Sequence, residues 1–434
     1  MTATTPTDIR LRRCRVRVVE RADEVEFARY LRSGDMVTWG QGCAEPRSLI
    51  GALLAQRERV GRLRCFIGLS PSGLIRPEHA DHVSFFSYTG SGPNRALLRH
   101  GGLDIVPCHY SELPRVVSSA GLGADVVLAQ LSRPDERGRY SLGLANDYLS
   151  AAIDRARVVM AEVSPHVPWT YNRTLTEDEI DVLVARGLPP TDAPPADITE
   201  VDGRVAGNIA ALIEDGSTLQ IGLGAVPQAV LSAVTNHHDL GIHSGWLGDR
   251  VADLMESGVV TNARKTRDRG CAVAGLLMGS SRLAAFAHRN PAIQVRDTAY
   301  THDAEVLAGI DRFVAINSAL EVDLTGQINA EMVGTEYVGA VGGAVDFLRG
   351  AHRSRGGLPI VGLPSTAGNA TRIVARLAGP VSTARSDTGL IVTEFGVADL
   401  RGLSLSARRE RMLAIAHPAH RDALQAQAAS ETWG

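Results

Sequence analysis

One loop in this chain has the composition to meet an anion. Gly222-Leu223-Gly224-Ala225-Val226-Pro227 follows the apolar run Thr218–Ile221 and precedes a helical pattern over residues 228–234. Glycines between a strand and a helix let the backbone approach a ligand, and exposed N–H groups there suit an anion or a developing oxyanion. The same spacing also serves a plain strand–helix turn. Pro227 holds the place of the third glycine of G-x-G-x-x-G, which argues against a dinucleotide site. Histidine is the second chemistry-bearing type, because its unperturbed side chain titrates near neutral pH and suits general-base work. The adjacent His237 and His238 lack metal-ligand spacing. Cys14, Cys43, Cys65, Cys108 and Cys271 are scattered without C-x-x-C spacing, so neither a zinc site nor a disulfide frame is expected.

The elements that position these groups belong to an ordinary globular chain. Its 434 residues suffice for two domains with sizeable cores, and 44% hydrophobic with 21% charged residues is typical of such chains. A net charge of -3 gives no basic stripe for nucleic acid and no polybasic run for a membrane surface. There is no apolar signal core at the N-terminus and no run long enough to span a bilayer, so a cytoplasmic location is expected. All but one of the 45 basic residues are arginine, the exception being Lys265, as a GC-rich bacterial genome would produce.

Two internal echoes organise the chain. DMVTWGQGCAEP at 35–46 and STLQIGLGAVP at 217–227 each run from a strand through G-x-G to a proline and a helix. VVLAQLSRPDERG at 126–138 and FVAINSALEVDLTG at 313–326 each run from a strand into an Asp-x-x-Gly turn. Two echoes in one order and at nearly one spacing predict a duplicated α/β unit. The Pro-rich stretch 187–195, GLPPTDAPP, is the linker, dividing the chain into 1–195 and 196–434. Each half is expected to be a mostly parallel sheet with covering helices, including helices over 144–156, 201–214 and 407–415.

The run LGIHSGWLGD at 240–249 resembles the active-site segment of the acetyl-CoA hydrolase/CoA-transferase family, of the 4-hydroxybutyrate CoA-transferase-like kind. Further segments from about residue 30 onward are similar in the same order. They include GVVTNARK at 258–265, NSALEVDLTGQINAE at 317–331, LPSTA at 363–367, TEFG at 393–396 and PDERGRYSLG at 134–143. The resemblance implies two similar CoA-transferase-like α/β domains with the site between them and CoA along the C-terminal one. It also implies that Gly342, Gly343, Asp346 and Phe347 match a glycine loop that shapes an oxyanion hole, with Ala340 in place of its first glycine. Gly222, Gly224, Val226, Gly342, Gly343 and Phe347 are then the expected CoA-binding residues.

Departures from the family pattern cluster where chemistry is expected. The family's nucleophilic glutamate, which carries CoA as a thioester, is replaced by Gly245. The asparagine that positions it is replaced by His302, and Trp169 stands where the family has arginine. The resemblance therefore implies direct attack on an acyl-CoA thioester by water or by an amine or alcohol acceptor, with His302 as base and the Gly343 region as oxyanion support. Gly245, Trp246, Trp169 and His243 are the expected substrate-pocket residues, although family members with the glutamate also carry His243, which suits a supporting role. Asp249, Glu331 and Asp303 are the carboxylates that could stand in for the glutamate in a conventional CoA-transferase. A non-catalytic acyl-CoA-binding protein is the third reading. Acyl-CoA and a small-molecule acceptor are the expected partners of a homodimer, with no metal and no tightly bound cofactor.

Overall fold

Val126–Leu131 (VVLAQL) and Val158–Val163 (VVMAEV) are buried along their whole length, as parallel strands covered on both faces must be. They form the centre of the first of two sheets in the computed structural model, which describes residues 16–429. Cys14 and residues 1–15 of the N-terminal segment lie outside the described residues.

The first sheet holds β1 Arg17–Val19, β2 Met36–Trp39, β3 Leu63–Ile67, β4 Val83–Ser87, β5 Leu103–Ile105, β6 Val126–Leu131, β7 Val158–Val163 and β8 Val182–Val184. Their order is β1-β8-β7-β6-β2-β3-β4-β5, and every pairing is parallel. The second sheet holds β9 Thr218–Ile221, β10 Gly241–Ile242, β11 Phe313–Ser318, β12 Leu358–Gly362, β13 Leu390–Thr393 and β14 Gly396–Asp399. Their order is β10-β9-β11-β12-β13-β14, with only the last pair antiparallel. Helices α1 Arg47–Ala55, α2 Leu149–Arg155, α3 Glu200–Ala210, α4 Ala225–Ala233, α5 Thr298–Thr301, α6 Ala344–Arg353 and α7 Leu405–Ile415 are those that matter below. Among the described residues no helix is long and apolar enough to cross a membrane.

The duplication is visible in the topology. β3-β2-β6-β7-β8 and β10-β9-β11-β12-β13 follow one order, with the first strand of each unit lying between its second and third. The Asp-x-x-Gly turns also coincide. Asp135 N–H donates to Arg139 O and Gly138 N–H to Asp135 O, and Asp323 N–H donates to Gln327 O and Gly326 N–H to Asp323 O. Both glycines adopt positive φ, 71° and 92°. In such sheets the crevice at the carboxyl ends, where the strand order reverses, is the natural ligand site. Here that places the β9 and β11 loops at its rim.

The sequence pattern overextends two helices. The helix expected over 144–156 begins only at Leu149. Upstream of it Ala145 bridges Leu276, Asn146 N–H donates to Gly275 O, and Asp147 bridges Asp297 at a φ of 24°. Pairing with the other half thus overrides the local helical pattern. The helix expected over 201–214 ends at Ala210, and Leu212 and Ile213 finish it as turns onto Ile209 and Ala210.

Lys265 clasps the strand that leads into the site. It is 4% exposed, and its Nζ donates to Ile242 O at 2.8 Å and Cys271 O at 2.7 Å. Burial lowers its pKa to about 8. Lys265→Met is expected to cost about 3 kcal/mol in urea unfolding, because both carbonyls are left buried without a donor. A loss below about 1 kcal/mol would show that the ammonium does not hold this segment.

Candidate active site

The carboxyl ends of both sheets open into one cavity of about 380 Å³. From the second half come Gly222 and Gly224 after β9, Asn317 and Ser318 at the end of β11, Gly245, Trp246 and His302. From the first half come Gln41, Leu69, Tyr88 and Tyr110, each from a loop that follows a strand.

The glycine loop before α6 is held from across the cleft. Tyr110 N–H donates to Gly342 O at 3.0 Å, Gly90 N–H to Gly339 O at 2.9 Å, and Ser111 Oγ to Asp346 Oδ1 at 2.8 Å. Gly339 admits no side chain, because a Cβ there would fall 1.9 Å from Ala330 O. Gly342 turns the chain at a φ of 60°, and Gly343 then caps α6. Among the described residues no backbone carbonyl accepts from the N–H of Gly343 or Ala344, and both residues line the cavity. An open helix N-terminus of this kind favours negative charge.

His302 lies against this loop. It follows α5, is 5% exposed, and packs between Tyr110, at 4.8 Å between ring centroids, and Phe347, at 4.5 Å. Thr301 Oγ1 donates to Asp297 O at 3.1 Å and therefore receives the Nδ1–H of His302 at 2.9 Å. This network assigns the lone pair to Nε2, which has no partner among the described residues. A Cβ on Gly245 would fall 3.3 Å from His302 Cε1, and one on Gly343 would fall 2.8 Å from Nε2. The imidazole thus occupies the volume that a side chain at either glycine would need.

Burial, with nearby His243 adding to it, lowers the His302 pKa to about 3. The sequence suggested a value near neutral; removal of the ring from water overturns that, and the imidazole is neutral throughout the physiological range.

Among the other expected site residues, Trp246, Gly222, Gly224, Gly342, Gly343 and Phe347 line the cavity, and three do not. Val226 points into the core, where it limits the approach of Gly362. Trp169 lies away from the cavity, with Arg289 over its ring, its backbone N–H donating to His288 Nδ1 and its indole N–H to Arg139 O. His243 is fully buried behind the wall, with Nε2 against Thr301 O at 3.1 Å. Burial lowers its pKa to about 3, so it supports the strand end rather than reaching substrate.

The alternative carboxylates all have structural duties. Asp249 accepts from Ser280 N–H and Oγ, Asp303 caps the turn at Glu305 and Val306, and Glu331 accepts from Tyr337 and Ser382.

Gln41, Tyr88, Tyr110 and Asp147 escaped the reading of the sequence. Gln41 alone carried a usable signal. It is the middle residue of the first G-x-G, the echo of Leu223.

Two measurements probe the packing around His302. Gly245→Glu is expected to cost about 1–3 kcal/mol by overpacking, and adding His302→Asn should recover most of it. Purely additive losses would show that the two positions do not share this space. A histidine whose folded pKa lies below its unfolded 6.5 makes the unfolded state bind more protons between those values, so stability falls with pH below about 6.5. His302→Asn should reduce that slope by up to ~1.4 kcal/mol per pH unit. An unchanged slope would mean that the ring is already protonated.

Comparison with known proteins places this geometry. Residues 16–185 match the acetyl-CoA hydrolase/transferase N-terminal domain, and residues 279–428 match the acetyl-CoA hydrolase/transferase C-terminal domain. The chain is 35% identical to 4-hydroxybutyrate coenzyme A transferase of Clostridium kluyveri over 404 residues, 89% of this chain and 92% of that protein. The crystal structure of RipA from Yersinia pestis superposes with a TM-score of 0.89 at 35% identity, covering 95% of this chain and 97% of that one. That of 4-hydroxybutyrate CoA-transferase from Porphyromonas gingivalis does so with a TM-score of 0.79 at 34% identity, covering 95% and 97%. The two-sheet α/β fold, the shared carboxyl-end cavity and these matches together make this chain a member of the acetyl-CoA hydrolase/transferase family, an acyl-CoA transferase/hydrolase-like enzyme.

Proposed function

We propose that the enzyme processes acyl-CoA thioesters by direct attack of water or a small acceptor on the thioester carbonyl, without a glutamyl-CoA intermediate. One observation carries the reading. Where the resemblance puts the family's nucleophilic glutamate stands Gly245, and the adjoining space holds a neutral imidazole in contact with Gly343. Glycine supplies no nucleophile, and Asp249, Asp303 and Glu331 are each held by hydrogen bonds from neighbouring protein groups.

In this scheme the free N–H groups at the start of α6 stabilise the charge that grows on the thioester oxygen. His302 Nε2 accepts the proton of the attacking O–H or N–H. A bond forms from that O or N to the acyl carbon, the C–S bond breaks, and the proton passes to the leaving CoA sulfur. The His302 ring is a weak base in the free enzyme and takes the proton only as the oxyanion forms beside it, since opposite charge favours the imidazolium. Tyr110 and His243 are the titratable groups around the ring, and burial keeps both neutral, raising Tyr110 and lowering His243. Trp246, Leu276 and Met278 give the acyl side an apolar surface.

The test is thiol release from a panel of acyl-CoA esters, paired with borohydride trapping. Turnover without a reduced glutamyl adduct is expected, and a trapped adduct overturns the scheme. His302→Ala should lower kcat by roughly 10²–10⁴ while preserving acyl-CoA binding. Binding by the native enzyme without turnover of any ester would establish the non-catalytic reading instead.

A further inference from the structure

The wall of the cavity contributed by the first half has spent its side-chain donors internally. Two partners fix the Gln41 amide. Leu69 N–H must donate to Oε1, at 2.9 Å, and the Asp147 carboxylate must accept from Nε2, at 2.8 Å. A flipped amide would set donor against donor and acceptor against acceptor. Tyr88 Oη then donates to Gln41 Oε1 at 2.8 Å, and Tyr110 Oη accepts from Nε2 at 2.5 Å. Burial raises the Asp147 pKa to about 6, and hydrogen bonds from Gln41 and Tyr110 oppose that rise, so it remains largely a carboxylate at neutral pH. Thr89 and Ser91 hydroxyls donate to Gly339 O and Val338 O, at 3.2 and 3.3 Å.

With both lone pairs of Gln41 Oε1 taken by Leu69 N–H and the Tyr88 hydroxyl, the acceptors left on this wall are the Tyr88 and Tyr110 hydroxyl oxygens. Behind them lies Asp147, 1% exposed and in no ion pair among the described residues. Arg372, a cation in the lining, belongs to the second half and is tied to the carbonyls of Ala319 and Leu320. The Trp246 N–H, also from the second half, is buried and has no partner among the described residues. The open N–H groups of Gly343 and Ala344 also line the cavity, but they belong to the second half and are taken by the thioester oxygen in the direct-attack scheme. A carboxylate on the first-half wall would therefore meet no side-chain donor there and would face a like charge, which is costly. An alcohol or a neutral amine would instead donate its hydrogen to a waiting oxygen.

We infer that the face formed by Gln41, Tyr88 and Tyr110 is the acceptor subsite, and that it takes an uncharged hydrogen-bond donor, an alcohol or amine, and rejects carboxylates. The inference rests on the direct-attack reading above and names its acceptor class. The acceptor's O–H or N–H adds to the acyl carbon, the C–S bond breaks, and the proton leaves on CoA sulfur. The products are an ester or amide and free CoA.

The experiment offers the full-length enzyme one acyl-CoA ester that it turns over, with butan-1-ol, methoxyamine or butyrate as acceptor, and identifies products by mass. Butyl ester or N-methoxyamide should form at least tenfold faster than butyryl-CoA. Fastest formation of butyryl-CoA overturns the subsite. Hydrolysis alone, at one rate with every acceptor, also overturns it while leaving direct attack standing. A borohydride-trapped glutamyl adduct overturns direct attack itself. Saturation-transfer NMR of butan-1-ol and butyrate with the native enzyme reads acceptor binding independently of turnover. It should detect the alcohol only, and an equal or stronger butyrate signal overturns the assignment. Tyr110→Phe keeps the ring against His302 and frees one Gln41 Nε2 hydrogen. It should cut the alcohol-over-carboxylate preference at least tenfold through butyrate KM. An equal loss for both acceptors would mark Tyr110 as merely structural and overturn its role in selection.

Discussion

A neutral imidazole clamped between a tyrosine from one half of the chain and a phenylalanine from the other sets the terms for this site. The His302 ring packs where a side chain at position 343 would collide with it and one at position 245 would crowd it. Its burial fixes its protonation state, and Thr301 fixes which nitrogen faces the cavity. Each feature constrains the next. A side chain at either glycine would push the ring, and an exposed ring would regain its ordinary basicity.

The two halves meet through the loops that the duplication made equivalent. Gln41 after β2 and Leu223 after β9 sit at matching places in the repeat, yet they serve different ends. Gln41 organises a polar wall, and Leu223 lies in a bare glycine turn at the rim. Divergence of the copies thus gave the cavity two unlike faces. The first half also grips the glycine loop of the second through Gly90, Tyr110 and Ser111, so the open end of α6 is positioned by contacts far away in sequence.

The fold was largely legible in the sequence because its signals are local. Apolar runs of strand length, glycine loops and Asp-x-x-Gly turns each reflect a backbone requirement within a few residues. The site was legible only in part. Gly222 and Gly224 stood out by their spacing, Gly342 and Gly343 through the resemblance to a known family, and Gly245 and His302 by departing from that family's pattern. Tyr88, Tyr110 and Asp147 carried no such mark, since their roles depend on neighbours many residues away. Val226 and Trp169 show the reverse error. Each adjoins a meaningful motif, but side-chain direction turns the first into the core and loop packing carries the second to the outside. The lost start of the helix expected at residue 144 has the same origin, because cross-cleft pairing with Gly275 and Asp297 outweighed local preference.

The clasp made by Lys265 has a consequence for surface chemistry. It is the only lysine in the chain, and its amine is buried and bonded to two carbonyls. Thioesters acylate exposed amines without catalysis, and lysine is the usual target. A folded enzyme of this composition offers its own substrate no lysine to modify. Arginine supplies the positive charge of its surface instead, in a form that resists acylation, so the protein can work among reactive acyl donors without accumulating adducts on lysine.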